Sequence, residues 1–192
     1  NKVIGLKTDK KEYAANLIIV ATGVKPNTEF LKDTGIELFT NGAIVINRFG
    51  ETNIPNVYAA GDCATVYHSV LEKNVYIALA TTANKLGRLI GENLTGANKT
   101  FIGTLGSAGI KVLEFEAART GITEQEAKDN NINYKTVFVD GEDHSAYYPG
   151  GEDVYIKLIY NADTKILLGA QVAGKRGAAL RADSLAVAIQ NK

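Results

Sequence analysis

Hydrophobic and polar residues alternate along this chain in two regimes. Residues 2–7 and 12–21 read as two strands around the turn Thr8-Asp9-Lys10-Lys11. The second ends in the unbroken apolar run Leu17-Ile18-Ile19-Val20-Ala21, the pattern of a strand buried on both faces. Pro26 biases its predecessor towards an extended backbone, and a short helix is predicted over 28–34 with Asn27 as its N-cap and Gly35 beyond its end. Short apolar strands are predicted at 43–46 and 57–60. Residues 79–94 have helical spacing, with Leu79, Ala83, Leu86 and Ile90 in one stripe.

The pattern changes after Gly96-Ala97-Asn98-Lys99, which reads as a boundary. Residues 110–115, 135–139, 154–160 and 166–172 predict strands of an antiparallel sheet. A helix over 124–130 crosses between the first two, opened by Thr123 and Glu126 in capping-box spacing. A last amphipathic helix is predicted over 177–189. The expected fold is an α/β segment followed by an α+β domain with an antiparallel sheet.

Composition narrows the class. The 192 residues are 45% hydrophobic and 22% charged, which fits a packed core and argues against global disorder. Lys+Arg and Asp+Glu both number 21, so no broad cationic surface for nucleic acid or anionic membrane is expected. No apolar run approaches the roughly 18 residues of a membrane span. One cysteine and two histidines exclude a disulfide framework and argue against a metal site. These features are expected of a soluble protein from a reducing compartment, the cytoplasm. Methionine is absent, even at position 1, and the last helix reads as cut short, so the chain is expected to be a piece of a longer polypeptide.

Three segments carry candidate chemistry. In Tyr58-Ala59-Ala60-Gly61-Asp62-Cys63-Ala64 a buried strand runs into one carboxylate at its carboxyl end, where open α/β sheets bind ligands. Gly61 permits close approach, and Asp62 can accept hydrogen bonds from a ribose or ribitol hydroxyl; alternatively, Asp62 caps the next turn. Tyr76-Ile77-Ala78-Leu79-Ala80 leads into a helix whose first N–H groups and dipole favour negative charge, such as a reduced flavin edge; an ordinary amphipathic helix gives the same pattern. Ala21-Thr22-Gly23 ends a strand and admits a ligand at Gly23, though a tight turn accounts for that glycine equally well.

In this order and spacing the segments resemble the flavoprotein pyridine nucleotide-disulfide oxidoreductases. Ala21-Thr22-Gly23-Val24-Lys25-Pro26-Asn27 resembles the end of their nicotinamide-nucleotide domain, and Tyr58-Ala59-Ala60-Gly61-Asp62-Cys63-Ala64 their second flavin motif. Asn84-Lys85-Leu86-Gly87-Arg88, the glycine-rich segment 103–109 and Tyr147-Tyr148-Pro149-Gly150 are similar to the branch of coenzyme A-disulfide reductases, NADH oxidases and NADH peroxidases. The resemblance implies an enzyme using FAD and NAD(P)H, with 1–24 closing the NAD(P)H domain, 25–97 completing the FAD domain, and 98–192 forming a truncated dimerisation domain. It implies that Asp62, beside Gly61, binds the flavin ribitol and that Leu79 and Ala80 meet the ring. Gly23, Ala78 and Gly109 would line the nicotinamide path. Tyr147 or Tyr148 would act across a homodimer on a disulfide, persulfide or oxygen substrate.

The family's redox cysteine has no counterpart here, nor does Gly-x-Gly-x-x-Gly; Gly103, Gly106 and Gly109 have the wrong spacing. Cys63 has no adjacent cation and reads as an inert small apolar residue. His144 reads as a surface histidine, Arg176 and Arg181 as solvated with a coenzyme A phosphate as the alternative, and His68 receives no role. The isolated chain is expected to be inactive.

Overall fold

The computed structural model describes residues 2–192. Strands β1 (Gly5–Lys7) and β2 (Glu12–Ala14) form an antiparallel hairpin whose turn is held by the Thr8 hydroxyl on the Lys11 carbonyl, at 2.9 Å. The predicted second strand stops here. Leu17, Ile19 and Val20 lie outside any strand and are exposed, because a strand buried on both faces needs neighbours and covering layers that the described residues do not supply at this place. The predicted helix over 28–34 shrinks to one 3-10 turn, Glu29–Leu31. Thr28, not Asn27, occupies its cap position, and the Thr28 hydroxyl is committed to the Gly42 carbonyl at 2.5 Å instead of capping.

The strands predicted at 43–46 and 57–60 are single bridges. Ile44 pairs with Leu38 and with Ala64, and Tyr58 with Glu51. Their apolar side chains are nevertheless core: Ile44, Ile46 and Ala64 bury against Val66, Leu86, Ile90 and Phe101. The hairpin of β3 (Val66–His68) and β4 (Lys73–Val75) leads to α1 (Ala80–Leu94), which buries Thr82, Leu86 and Ile90. The chain then returns to Arg48, whose Nε donates to the Phe101 carbonyl at 2.7 Å.

The second half is a five-stranded antiparallel sheet. Its strands are β5 (Ala108–Val112), β6 (Phe115–Gly121), β7 (Tyr134–Glu142), β8 (Asp153–Asn161) and β9 (Leu167–Gly174), in the order β5-β6-β9-β8-β7. The predicted strand over 110–115 contains a hairpin turn at Leu113, which adopts φ +54°; β6 was hidden by its polar sequence Glu116-Ala117-Ala118-Arg119-Thr120. Helix α2 (Glu124–Asp129) has the predicted capping box, with Thr123 Oγ1 accepting from Glu126 N–H at 3.1 Å and Glu126 accepting from Thr123 N–H at 2.6 Å. Glu124 binds Lys157 at 2.6 Å and the Tyr134 hydroxyl at 2.9 Å, which with Lys128 pulls its carboxyl down to about 2. Helix α3 (Ala178–Asn191) packs Ala178 and Ala182 on Ala118, Val154 and Val172 of the sheet. Gly121, at φ +65°, allows β6 to approach β9 where a Cβ would stand 2.2 Å from the Leu168 carbonyl. Ile122, Ala127 and Ile159 pack with Val70 and Leu71, joining the β3–β4 turn to the sheet.

Candidate functional site

The turn after Ala60 is built for approach from outside. Ala59, Ala60 and Cys63 pack on the first core cluster, which leaves Gly61 at the bend with φ +90° and no atom within 4 Å of where a Cβ would stand. The turn closes through Ala64 N–H to the Gly61 carbonyl at 3.1 Å, so the exposed Asp62 carboxylate is not its cap. Cys63 is half-buried with Sγ 3.5 Å from the Ala60 carbonyl.

The start of α1 rests on the same core. Ile77 and Leu86 pack against the cluster that holds Ala60, and Ala78 and Leu79 lead from Ile77 into the helix. Leu79 is the N-cap in an extended conformation with no side-chain cap, and Ala80 is exposed. A turn open at glycine and an uncapped helix start on one rigid support fit a flavin: room, a hydroxyl acceptor, and a positive dipole end.

The other candidates are placed differently. Gly23, at φ +94°, has no atom within 4 Å of its Cβ position, so nothing here brings it against Asp62 or Leu79. Gly109 lies inside β5 opposite Ala118, where a Cβ would touch Ala179 at 3.8 Å. The preceding loop does reach the segment that leads into α1: a Cβ on Gly106 would stand 3.0 Å from Ile77 Cδ1.

Tyr147 and Tyr148 stand in the β7–β8 connection and are 89% and 64% exposed. Around them the sequence expectations need correction. His144 is half-buried: Nδ1 lies 3.1 Å from the Ser145 carbonyl, and Nε2 3.6 Å from Asp143 Oδ1. Arg176 stays exposed and Arg181 is half-buried, but both also have partners in the chain. Arg176 Nε sits 3.1 Å from Asp143 Oδ2, and Arg181 Nη2 donates to the Asp143 backbone carbonyl at 2.6 Å. Asp143 escaped sequence reasoning because both arginines lie more than thirty residues away. His68 also has a part: it is 2% exposed, and its Nδ1 accepts from Val70 and Leu71 N–H at 3.2 and 3.3 Å.

Two models of one family match this chain: pyridine nucleotide-disulphide oxidoreductase over residues 1–87, and the dimerisation domain of that family over residues 107–192. The chain belongs to the pyridine nucleotide-disulphide oxidoreductase family. Similar members include an NAD(P)H sulfur oxidoreductase (CoA-dependent) of Pyrococcus furiosus, 40% identical over 87% of this chain and 38% of that protein. An NADH oxidase of Enterococcus faecalis is 34% identical over 100% of this chain and 43% of its own length. Among solved structures, an NAD-dependent persulfide reductase from A. fulgidus superposes with a TM-score of 0.88 at 38% identity, over 94% of this chain and 34% of that one. The chain thus spans about two fifths of the length of the curated relatives it matches. No helix among the described residues is long and apolar enough to cross a membrane.

Proposed function

We propose that this chain is the C-terminal part of an FAD-dependent enzyme that passes reducing equivalents from NAD(P)H through FAD to a cysteine centre, and on to a coenzyme A disulfide or a persulfide. The observation that carries this reading is the pairing, on one core cluster, of the open Gly61-Asp62 turn with the uncapped start of α1. Asp62 would accept hydrogen bonds from ribitol hydroxyls beside Gly61, and Leu79 and Ala80 would lie against the ring. Ala78, Gly23 and Gly109 would line the nicotinamide path. Bound there, the flavin supplies redox chemistry that no side chain of this chain can.

The chain's own contributions are placement and charge. The N–H groups at the start of α1 favour negative charge at their mouth. A phenol of the Tyr147–Tyr148 pair donates a proton to a leaving thiolate sulfur, working across a homodimer formed through 98–192. Pro149 stiffens the loop that presents it. The working compartment is the reducing cytoplasm, which suits a thiol product. The second reading is an NADH oxidase or peroxidase, favoured by the match of the whole chain to the Enterococcus faecalis NADH oxidase. On its own the chain acts as a dimerisation module, because the glycine fingerprint that grips a dinucleotide pyrophosphate is absent from its sequence.

Stopped-flow measurement of both half-reactions in the family-length enzyme tests the tyrosines. Tyr148→Phe is expected to slow disulfide reduction by about 100- to 10,000-fold while leaving flavin reduction by NAD(P)H nearly intact. Unchanged thiol-side rates in both Tyr147→Phe and Tyr148→Phe remove this role.

A further inference from the structure

The β7–β8 connection fills positions 143–152, much longer than the roughly two to five residues a hairpin needs. Its base is closed twice. Asp143 N–H donates to the Glu152 carbonyl at 2.9 Å, and Glu152 N–H donates back to Asp143 Oδ1 at 3.0 Å. The Asp143 side chain is only 9% exposed, although the loop it opens is at the surface.

The two side-chain contacts left to Asp143 lead towards the tip. Its Oδ2 holds Arg176 Nε at 3.1 Å, and Arg176 also donates to the Gly150 carbonyl beyond Pro149. Its Oδ1 lies 3.6 Å from His144 Nε2, and the His144 ring meets Tyr148 edge to face, with centroids 5.2 Å apart at 84°. Its backbone carbonyl takes Arg181 of α3, and Tyr148 N–H closes on Ser145 O at 2.9 Å. The Glu152 N–H, then Arg176, His144 and Arg181, hold the Asp143 carboxyl below the usual carboxylate range despite its burial. Tyr147 and Tyr148 are exposed and belong to none of the buried clusters, so the contacts that run from Asp143 to Arg176 and His144 order a loop whose tip is not held by the core.

We propose that Asp143 is the positioning residue of this site, holding the tyrosine loop at its base through Glu152, at its far side through Arg176, and at Tyr148 through the His144 ring. The proposal rests on the reading that the tyrosines serve the thiol side of the reaction. Asp143 touches no substrate; it acts through Tyr148, and misplacing a reacting group by about an ångström costs on the order of 100-fold.

The test uses the family-length enzyme. Asp143→Asn keeps an acceptor for Glu152 N–H but removes the charge that Arg176 answers. Disulfide reduction is expected to slow by about 10- to 100-fold with flavin reduction unchanged. The double variant Asp143→Asn/Tyr148→Phe is expected to be no slower than Tyr148→Phe alone, because one residue works through the other. Single effects that multiply in the double variant, or an unchanged thiol-side rate in Asp143→Asn, overturn the proposal. Arg176→Lys is held to the same pattern where Asp143→Asn does not fold. If both Tyr→Phe variants are silent, the role of the tyrosines fails separately. Amide exchange over 145–150 then decides: faster exchange in Asp143→Asn upholds its hold on the loop, and equal exchange refutes it.

Discussion

Replacing His68 with alanine removes the acceptor for two backbone N–H groups, at Val70 and Leu71, from a site that is 2% exposed. Each N–H left without a partner costs about 1 kcal/mol, the low end for groups that are half-buried. The imidazole-sized space adds about 1–2 kcal/mol. Removal of His68 Nε2, which is buried without a partner, offsets about 1 kcal/mol, so the expected loss is about 2–3 kcal/mol, and at about 2–4 °C per kcal/mol for a chain of this size Tm falls by about 4–12 °C. His68→Asn keeps an oxygen that can accept in a local turn and is expected to recover about half of this. Thermal unfolding followed by circular dichroism at pH 8 reads both. A loss below about 1 kcal/mol in His68→Ala, or no advantage of Asn over Ala, refutes this assignment of Nδ1. Acid gives an independent reading. Burial lowers the His68 pKa, with Glu126 opposing and Arg119 reinforcing the shift. The fold therefore binds the neutral ring, and the unfolded chain takes up the proton first. The stability is complete above the unfolded value of about 6.5 and is lost as pH falls from there through the lower folded value. His68→Asn abolishes that slope.

Thr123→Ala breaks the capping box of α2 and is expected to cost about 1 kcal/mol by urea unfolding, with Thr123→Ser restoring it. The chain is expected to self-associate through its second half, because Ile110, Leu113, Phe138, Leu180 and Val187 are exposed on the sheet, its β5–β6 turn and α3; sedimentation showing a strict monomer at high concentration contradicts this.

Local signals read true where the chain itself completes the structure. The stripe Ala83, Leu86, Ile90 produced α1, and Thr123 with Glu126 produced α2, since both depend on neighbours within one turn or one face. The run at 17–21 misled because its apolar residues describe a buried strand, whereas burial depends on partners elsewhere. The bridges at Ile44 and Tyr58 were half legible: burial is written in residue type, pairing length is not. At the candidate site, the open turn at Gly61 and Asp62 was readable because its residues are contiguous. Asp143 was not, because its meaning lies in Arg176 and Arg181, which the fold brings back from β9's end and α3.

That Gly61, Asp62 and the start of α1 form one wall of a flavin site is tested most directly by the flavin-to-protein ratio of the family-length enzyme, read from visible absorbance during titration. Losing hydrogen bonds to a charged acceptor costs about 1.5–3 kcal/mol, or about 10- to 150-fold in Kd. Asp62→Ala is therefore expected to weaken FAD binding by that factor. Gly61→Asn, a residue that tolerates positive φ better than most and whose side chain would stand in space that no atom of this chain occupies, is expected to weaken it at least as much, with thermal unfolding of the same variant separating backbone strain from lost binding. Unchanged FAD affinity in both variants contradicts the site.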